Sequence, residues 1–297
     1  MSFRDVSQVL DESRSSGEHA DWRLGLGDCQ RLNAIESVSS GVGLMARALV
    51  QTTIPHSEQR SLHFQRRNGS LRLTMVGHPD HGLPYGKIPR LLLAWMARKA
   101  RTAGSPMIEL PTSQAALFRD LGLGMSGGRT GSMNSFRDQA LRLMKCTIHI
   151  DRQVDGGETW QPYQLSSGIR LWWDQPAGAP ATAGCWIKLA PSFYEEVMTY
   201  AVPLDFRVLI ALRSPLAIDI YAWATDRTYR LHKPLSLDWS VLNGQFGADY
   251  GRLVDFRKRF ERSLGQVLRH WPELRIRTDA RGIRLKPCQP HIIPLTR

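Results

Sequence analysis

RLVDFRKRFERSLGQVLRHWPELRIRTDARGIRLKP, residues 252–287, carries two hydrophobic periods in succession. Leu253, Phe256, Phe260, Leu264, Val267 and Trp271 recur at spacings of three and four, which on a helix makes one apolar face that has to be buried. Asp255, Lys258, Arg259, Arg262, Gln266 and Arg269 fall on the other face, with Arg252 beside them at the amino-terminal end. Beyond this helix the period changes to two: LRIRT, a DARG turn and IRLKP read as a hairpin bearing Arg275, Arg277, Arg281, Arg284 and Lys286. A helix followed by a two-stranded wing is the closing half of a winged helix, a variant of helix-turn-helix.

Charge indicates what this surface meets. Eleven basic and four acidic residues lie between 252 and 286, so this short segment holds +7 of the chain's net +12. Solvation alone would account for one charged helix face, but here the basic residues run on from the helix into the adjoining wing. A winged helix lays those two elements against the major groove and the neighbouring backbone, so double-stranded DNA is the expected partner. Asp255 suits this surface either as an acceptor from cytosine N4 or as the group that orients a nearby arginine.

The same element order occurs twice. The earlier pass runs helix LLLAWMARKA, strand MIEL (107–110), helix TSQAALFRDLG (112–122), helix SMNSFRDQALRLMK (132–145), strand TIHIDRQ, turn VDGGE and strand YQLSSGIRLWW. The later pass runs helix 217–230, strand 235–237, helix 238–247, helix 252–270 and the basic hairpin. Trp95 and Trp223, like Phe118 and Phe246, stand 128 positions apart; Phe136 and Phe256, like Arg142 and Arg262, stand 120 apart. The expected fold is therefore α+β, two tandem winged-helix domains. Residues 1–30 form a polar, partly disordered segment, 31–200 the first domain and 201–297 the second. A short helix over 42–51, a type I′ hairpin turn at Asn68-Gly69 and a helix over 191–200 complete the prediction.

The first unit is less basic. Its equivalent helix buries Met133, Phe136, Ala140 and Leu143 and exposes Asn134, Arg137, Asp138, Arg142 and Lys145, which suits contacts to the DNA backbone more than base reading. Ahead of it, GMSGGRTGS (124–132) puts Arg129, Thr130 and Ser132 at a helix amino terminus that can bind a DNA phosphate; a flexible turn with a Ser or Thr cap is the alternative.

Enzyme motifs fail on context. Gly124-Met125-Ser126-Gly127-Gly128 fits G-x-S-x-G, but the preceding AALFRDLGL has a helical pattern where a nucleophile elbow needs a strand. GLPYGKI (82–88) has three residues between its glycines and Ile88 after the lysine, where a phosphate-binding loop needs four and a Ser or Thr. His78 and His81 have the wrong spacing for the paired histidines of a nicking enzyme, and His149 stands alone. Cys29, Cys146, Cys185 and Cys288 show neither metal-ligand nor disulfide spacing. No catalytic residue, metal or cofactor is expected. There is no run of 18 apolar residues and no signal-peptide pattern, so a cytoplasmic protein with no membrane partner is expected.

Four ordered blocks, LPYGKIPRLLLAW (83–95), SGGRTGSMNSFRDQALRL (126–143), PLDFRVLIALRSPLAIDIYAW (203–223) and QFGADYGRLVDFRKRF (245–260), resemble plasmid replication initiators that share the RepA C-terminal domain. The resemblance spans about 83–291. It implies binding to direct repeats (iterons) at a plasmid origin, help in opening the duplex, and recruitment of the host initiator and replicative helicase. It also implies a homodimer, joined through the first domain, in equilibrium with a DNA-binding monomer, and control of plasmid copy number and of the protein's own gene. In that family the second domain is the main base reader. A double winged-helix transcriptional regulator is the alternative.

Overall fold

A computed structural model describes residues 41–128, 131–154, 157–172, 184–247 and 251–292. The polar segment over 1–30 lies outside the described residues. The predicted helix over 42–51 divides in two: Val42–Ala46 is a strand, β1, and only Arg47–Gln51 is helical, α1. Every residue of β1 is buried, a continuous apolar run that fits a strand covered on both faces as well as it fits a helix.

The next hairpin, β2 (His63–Asn68) and β3 (Leu71–Val76), forms where expected. Its register pairs Asn68 with Leu71, which makes Gly69 and Ser70 the two loop residues. Gly69 has φ +58°, and among the described residues positive φ occurs only at glycines. Positive φ at the first loop position alone is the type II′ pattern, not the type I′ turn the Asn-Gly pair suggested.

Helix α2 (Lys87–Ala103) ends at Gly104, whose left-handed conformation lets its N–H reach the carbonyls of Ala100 and Arg101. Strand β4 (Met107–Glu109), helix α3 (Gln114–Asp120) and helix α4 (Ser132–Lys145) follow, and then β5 (Thr147–Val154), β6 (Gly157–Pro162), β7 (Ser166–Arg170) and β8 (Trp186–Leu189). The first wing is not the predicted hairpin. β5 pairs with β3, Leu73 opposite Ile150 and Met75 opposite Ile148, so the sheet order is β2-β3-β5-β6. The buried Leu73, Met75 and Ile148 explain that choice: β5 gains an apolar partner in β3 that a free-standing wing would lack. The wing strands are instead β7 and β8, in a three-stranded sheet of order β4-β8-β7.

Helix α5 (Pro191–Tyr200) starts on a proline at its first turn and runs directly into β9 (Ala201–Asp205), which pairs antiparallel with β1. After α6 (Phe206–Ala211) the second unit follows the predicted order: α7 (Pro215–Arg230), β10 (Leu235–Asp238), α8 (Trp239–Phe246), α9 (Leu253–His270), β11 (Ile276–Thr278) and β12 (Gly282–Leu285). Its sheet order, β10-β12-β11, matches that of β4-β8-β7, so the two units share one winged-helix plan.

The units share a core. Buried residues from Leu44 to Leu285 form one continuous hydrophobic cluster. Polar ties cross the join: Thr53 Oγ1 donates to the Gln245 carbonyl, Gln245 Nε2 to the Gln51 carbonyl, and Arg66 to the Gly247 carbonyl. Between α2 and α7, Arg90 meets Asp219, whose carboxylate also accepts from His56.

Candidate nucleic-acid interface

Helix α9 is seated by Phe256, Phe260, Leu264 and Val267, with Trp271 buried just past its end. Its angle to the wing is set largely by Trp239. The Trp239 ring meets Phe256 and Phe260 edge-on at centroid distances of 6.4 and 5.6 Å, while its Nε1 donates to the Asp279 carbonyl at 3.0 Å. Its backbone N–H donates to the Arg281 carbonyl at 3.0 Å, and the Arg257 guanidinium lies over the ring. At the wing tip the Asp279 carboxylate accepts from the N–H groups of Gly282 and Arg281, which closes the turn and holds its acidity above that of an ordinary aspartate. A Cβ on Gly282 would overlap the Leu237 carbonyl, so β10 and β12 approach closely only because this residue is glycine.

Lys258, Arg259, Arg262 and Arg269 on α9, and Arg275, Arg277, Arg281, Arg284 and Lys286 on the wing, are all exposed, and none makes an ion pair among the described residues. Arg277 stands directly opposite Arg284 across the β11–β12 ladder. Like charges at that position oppose folding, a cost that an anion laid over the wing would remove. At the amino-terminal end Asp255 is paired with Arg252. Its carboxylate accepts from Arg252 Nε at 2.8 Å and Nη2 at 3.2 Å, and these hydrogen bonds lower its pKa. Gln266 Oε1 accepts from the Arg213 N–H at 3.4 Å.

The periodicity misplaced one residue and left another unread. Leu253 continues the apolar seam by spacing but lies past the end of the core and is 44% exposed; Val254, not assigned to either face, is 58% exposed. A hydrophobic side chain on the outward face between cations is the signal that could have found Val254.

The first unit presents less. Asn134, Arg137 and Lys145 are exposed on α4, with Asn134 Nδ2 donating to the Gly128 carbonyl and Lys145 Nζ 3.1 Å from His81 Nε2. Arg142, expected to be exposed, is 15% exposed, pairs with Asp138 at 2.8 Å and Glu58 at 3.2 Å, and stacks over Tyr85. Arg129 and Thr130 lie outside the described residues.

Ser126 and Ser132 cap the helix between them. The Ser132 N–H donates to Ser126 Oγ at 2.9 Å, the Ser126 N–H donates to Ser132 Oγ at 2.8 Å, and the Ser132 hydroxyl donates to the Gly124 carbonyl at 2.7 Å. The Met133 N–H reaches the Ser126 carbonyl at 3.4 Å. The Ser132 and Met133 N–H groups thus have acceptors within the loop, the arrangement a capped turn needs. Among the described residues no group of three His, Cys, Asp or Glu side chains could hold a metal ion.

A family model described as "Plasmid encoded RepA protein" matches residues 83–239. A solved structure of SeMet derivatives of domain 2 and domain 3 of RctB is similar to this chain in fold, with TM-score 0.52 at 13% identity, covering 80% of this chain and 94% of that one. A second structure, of RctB domains 2-3, has TM-score 0.49 at 14% identity, covering 80% and 96%. No curated protein matches in sequence. No described helix is long and apolar enough to cross a membrane.

Proposed function

Because the chain belongs to the family of plasmid-encoded RepA proteins, matched across more than half its length, we propose that it initiates plasmid replication by binding direct repeats at an origin. It reads them chiefly through the second winged helix, with the first unit contributing backbone contacts. The observation that carries this reading is the continuous run of exposed cations, without acidic partners among the described residues, from Lys258 on α9 to Lys286 on the wing. Groove insertion of α9 with the wing on the adjacent phosphates places those charges against the DNA backbone.

In this role the protein works by binding in the cytoplasm, without turnover or cofactor. It helps open the duplex and recruits the host initiator and replicative helicase, while a homodimer holds a pool that is not bound to the repeats and regulates the protein's own gene.

Footprinting on the DNA flanking its own gene tests the proposal. Protection of direct repeats supports it; protection of one inverted repeat over a promoter, without origin activity, supports a transcriptional regulator instead. Binding of about eight phosphates gives a log–log salt slope near −7, and a flat salt response would overturn the DNA reading altogether.

A further inference from the structure

Helix α9 begins with an apolar pair that its own fold does not use. Leu253 and Val254 are 44% and 58% exposed in the first turn, ahead of a seam in which Phe256, Phe260 and Val267 are fully buried. Val254 leads the outward stripe that continues through Lys258, Arg262 and Arg269 at helical spacing. Burying such a side chain releases water-exposed apolar surface, so what covers it should present apolar surface of its own and tolerate the cations beside it.

Duplex DNA satisfies both conditions. Its phosphates match Lys258, Arg259 and Arg262. In the major groove, the apolar group presented by the base edges is the thymine C5 methyl. Helix-turn-helix proteins bring the amino-terminal residues of the recognition helix to those edges. Arg252, the cation next to this pair, is engaged by the Asp255 carboxylate.

We propose that Val254, supported by Leu253, is a specificity-determining contact that reads a thymine methyl within each repeat. The inference rests on the DNA-binding role proposed above and adds a base identity to it. Arginines on the same helix supply hydrogen bonds and charge; Val254 supplies discrimination by shape and hydrophobicity, which salt does not screen.

The test uses the full-length chain and a duplex selected from random DNA for tight binding. Each thymine is replaced in turn by deoxyuridine, which removes only the methyl group. One position is expected to weaken binding by the wild type about fourfold, the worth of one buried methyl, with no change in the salt slope. Val254→Ala, an exposed helical substitution that leaves the core intact, binds thymine and deoxyuridine at that position equally. If the wild type binds the selected duplex and no deoxyuridine position weakens it, or if Val254→Ala keeps the full discrimination, the assignment is overturned while the DNA-binding role stands. If no sequence is enriched and binding is the same on all duplexes, the proposed reading fails with it.

Discussion

Arg90 and Asp219, from the opening helices of the two winged-helix units, meet in a buried bidentate ion pair, Nε to Oδ1 at 2.7 Å and Nη2 to Oδ2 at 2.6 Å. The remaining guanidinium hydrogens go to the carbonyls of Ile54, Pro55 and Gly86, so the arginine's donors are used in full. Removing either charge strands the other in a dry interior. Arg90→Met and Asp219→Leu are each expected to cost about 3–5 kcal/mol, and the double variant to recover a large part of that, read by urea denaturation. Additive losses would show that the two charges are not coupled.

The same cluster makes stability depend on pH. Burial holds the His56 imidazole below its ordinary value, outweighing the attraction of Asp219; Nε2 faces a carboxylate that only accepts and Nδ1 has no partner among the described residues, so the neutral ring carries its proton on Nε2. A group whose folded pKa is lowered binds its proton more readily in the unfolded chain, so stability falls as pH drops below about 6.5. Asp219 adds a second, more acid step. Burial raises its pKa, but Arg90 and His56 more than offset this, so the stability it supplies is lost only as pH falls below about 3.9. His56→Gln should flatten the stability profile between about pH 5 and 7, measured by denaturant midpoints across that range.

Ser126 is expected to matter as a cap. Ser126→Ala removes the acceptor for the Ser132 N–H and should destabilise the protein by about 1 kcal/mol. Gly131→Ala is more damaging, because a Cβ there would overlap the carbonyl oxygens of Ser126 and Gly127 and force the loop open. Thermal melts of the two variants, with Ser126→Thr as the capping-competent control, check the ranking.

Gly265 lies inside α9, and apart from the helix's own nearby backbone and its chain neighbours nothing comes within 4 Å of where its Cβ would sit. Nothing in the fold requires glycine there, and Gly265→Ala should raise stability by about 1 kcal/mol. It lies on the stripe of Val254, Lys258 and Arg269, so the more stable variant is expected to bind DNA less tightly. Equal affinity would show that the duplex does not approach the helix at this turn.

The second unit was legible because its elements carry clear periods: α9 follows a period of 3.6 and the wing a period of two, with the wing strands β11 and β12 paired to each other across a short turn. The first wing was not. Thr147–Val154 is a strand as expected, but it pairs with Gly157–Pro162 on one side, not with Ser166–Arg170, and on the other with Leu71–Val76, some 75 residues earlier; alternation does not name a partner. Arg142 looked exposed on a helical wheel, which cannot see Glu58 arriving from 84 residues away. Leu253 failed differently, since spacing extends a seam without saying where the core ends. The reciprocal Ser126–Ser132 cap sits in a loop whose residues also fit a hydrolase elbow and an anion site, and residue types alone do not show which backbone groups its hydroxyls meet.

The position of Trp239 bears on which partner adapts in the proposed DNA complex. Its ring is locked into the α9 core and its two N–H groups are committed to the wing turn, so helix and wing cannot swing apart without unseating the core. A groove whose width does not suit that fixed gap has to bend, widen or untwist to fit it. Sequence preference would then extend to base pairs the protein never touches, through the stiffness of the DNA between the two contacts.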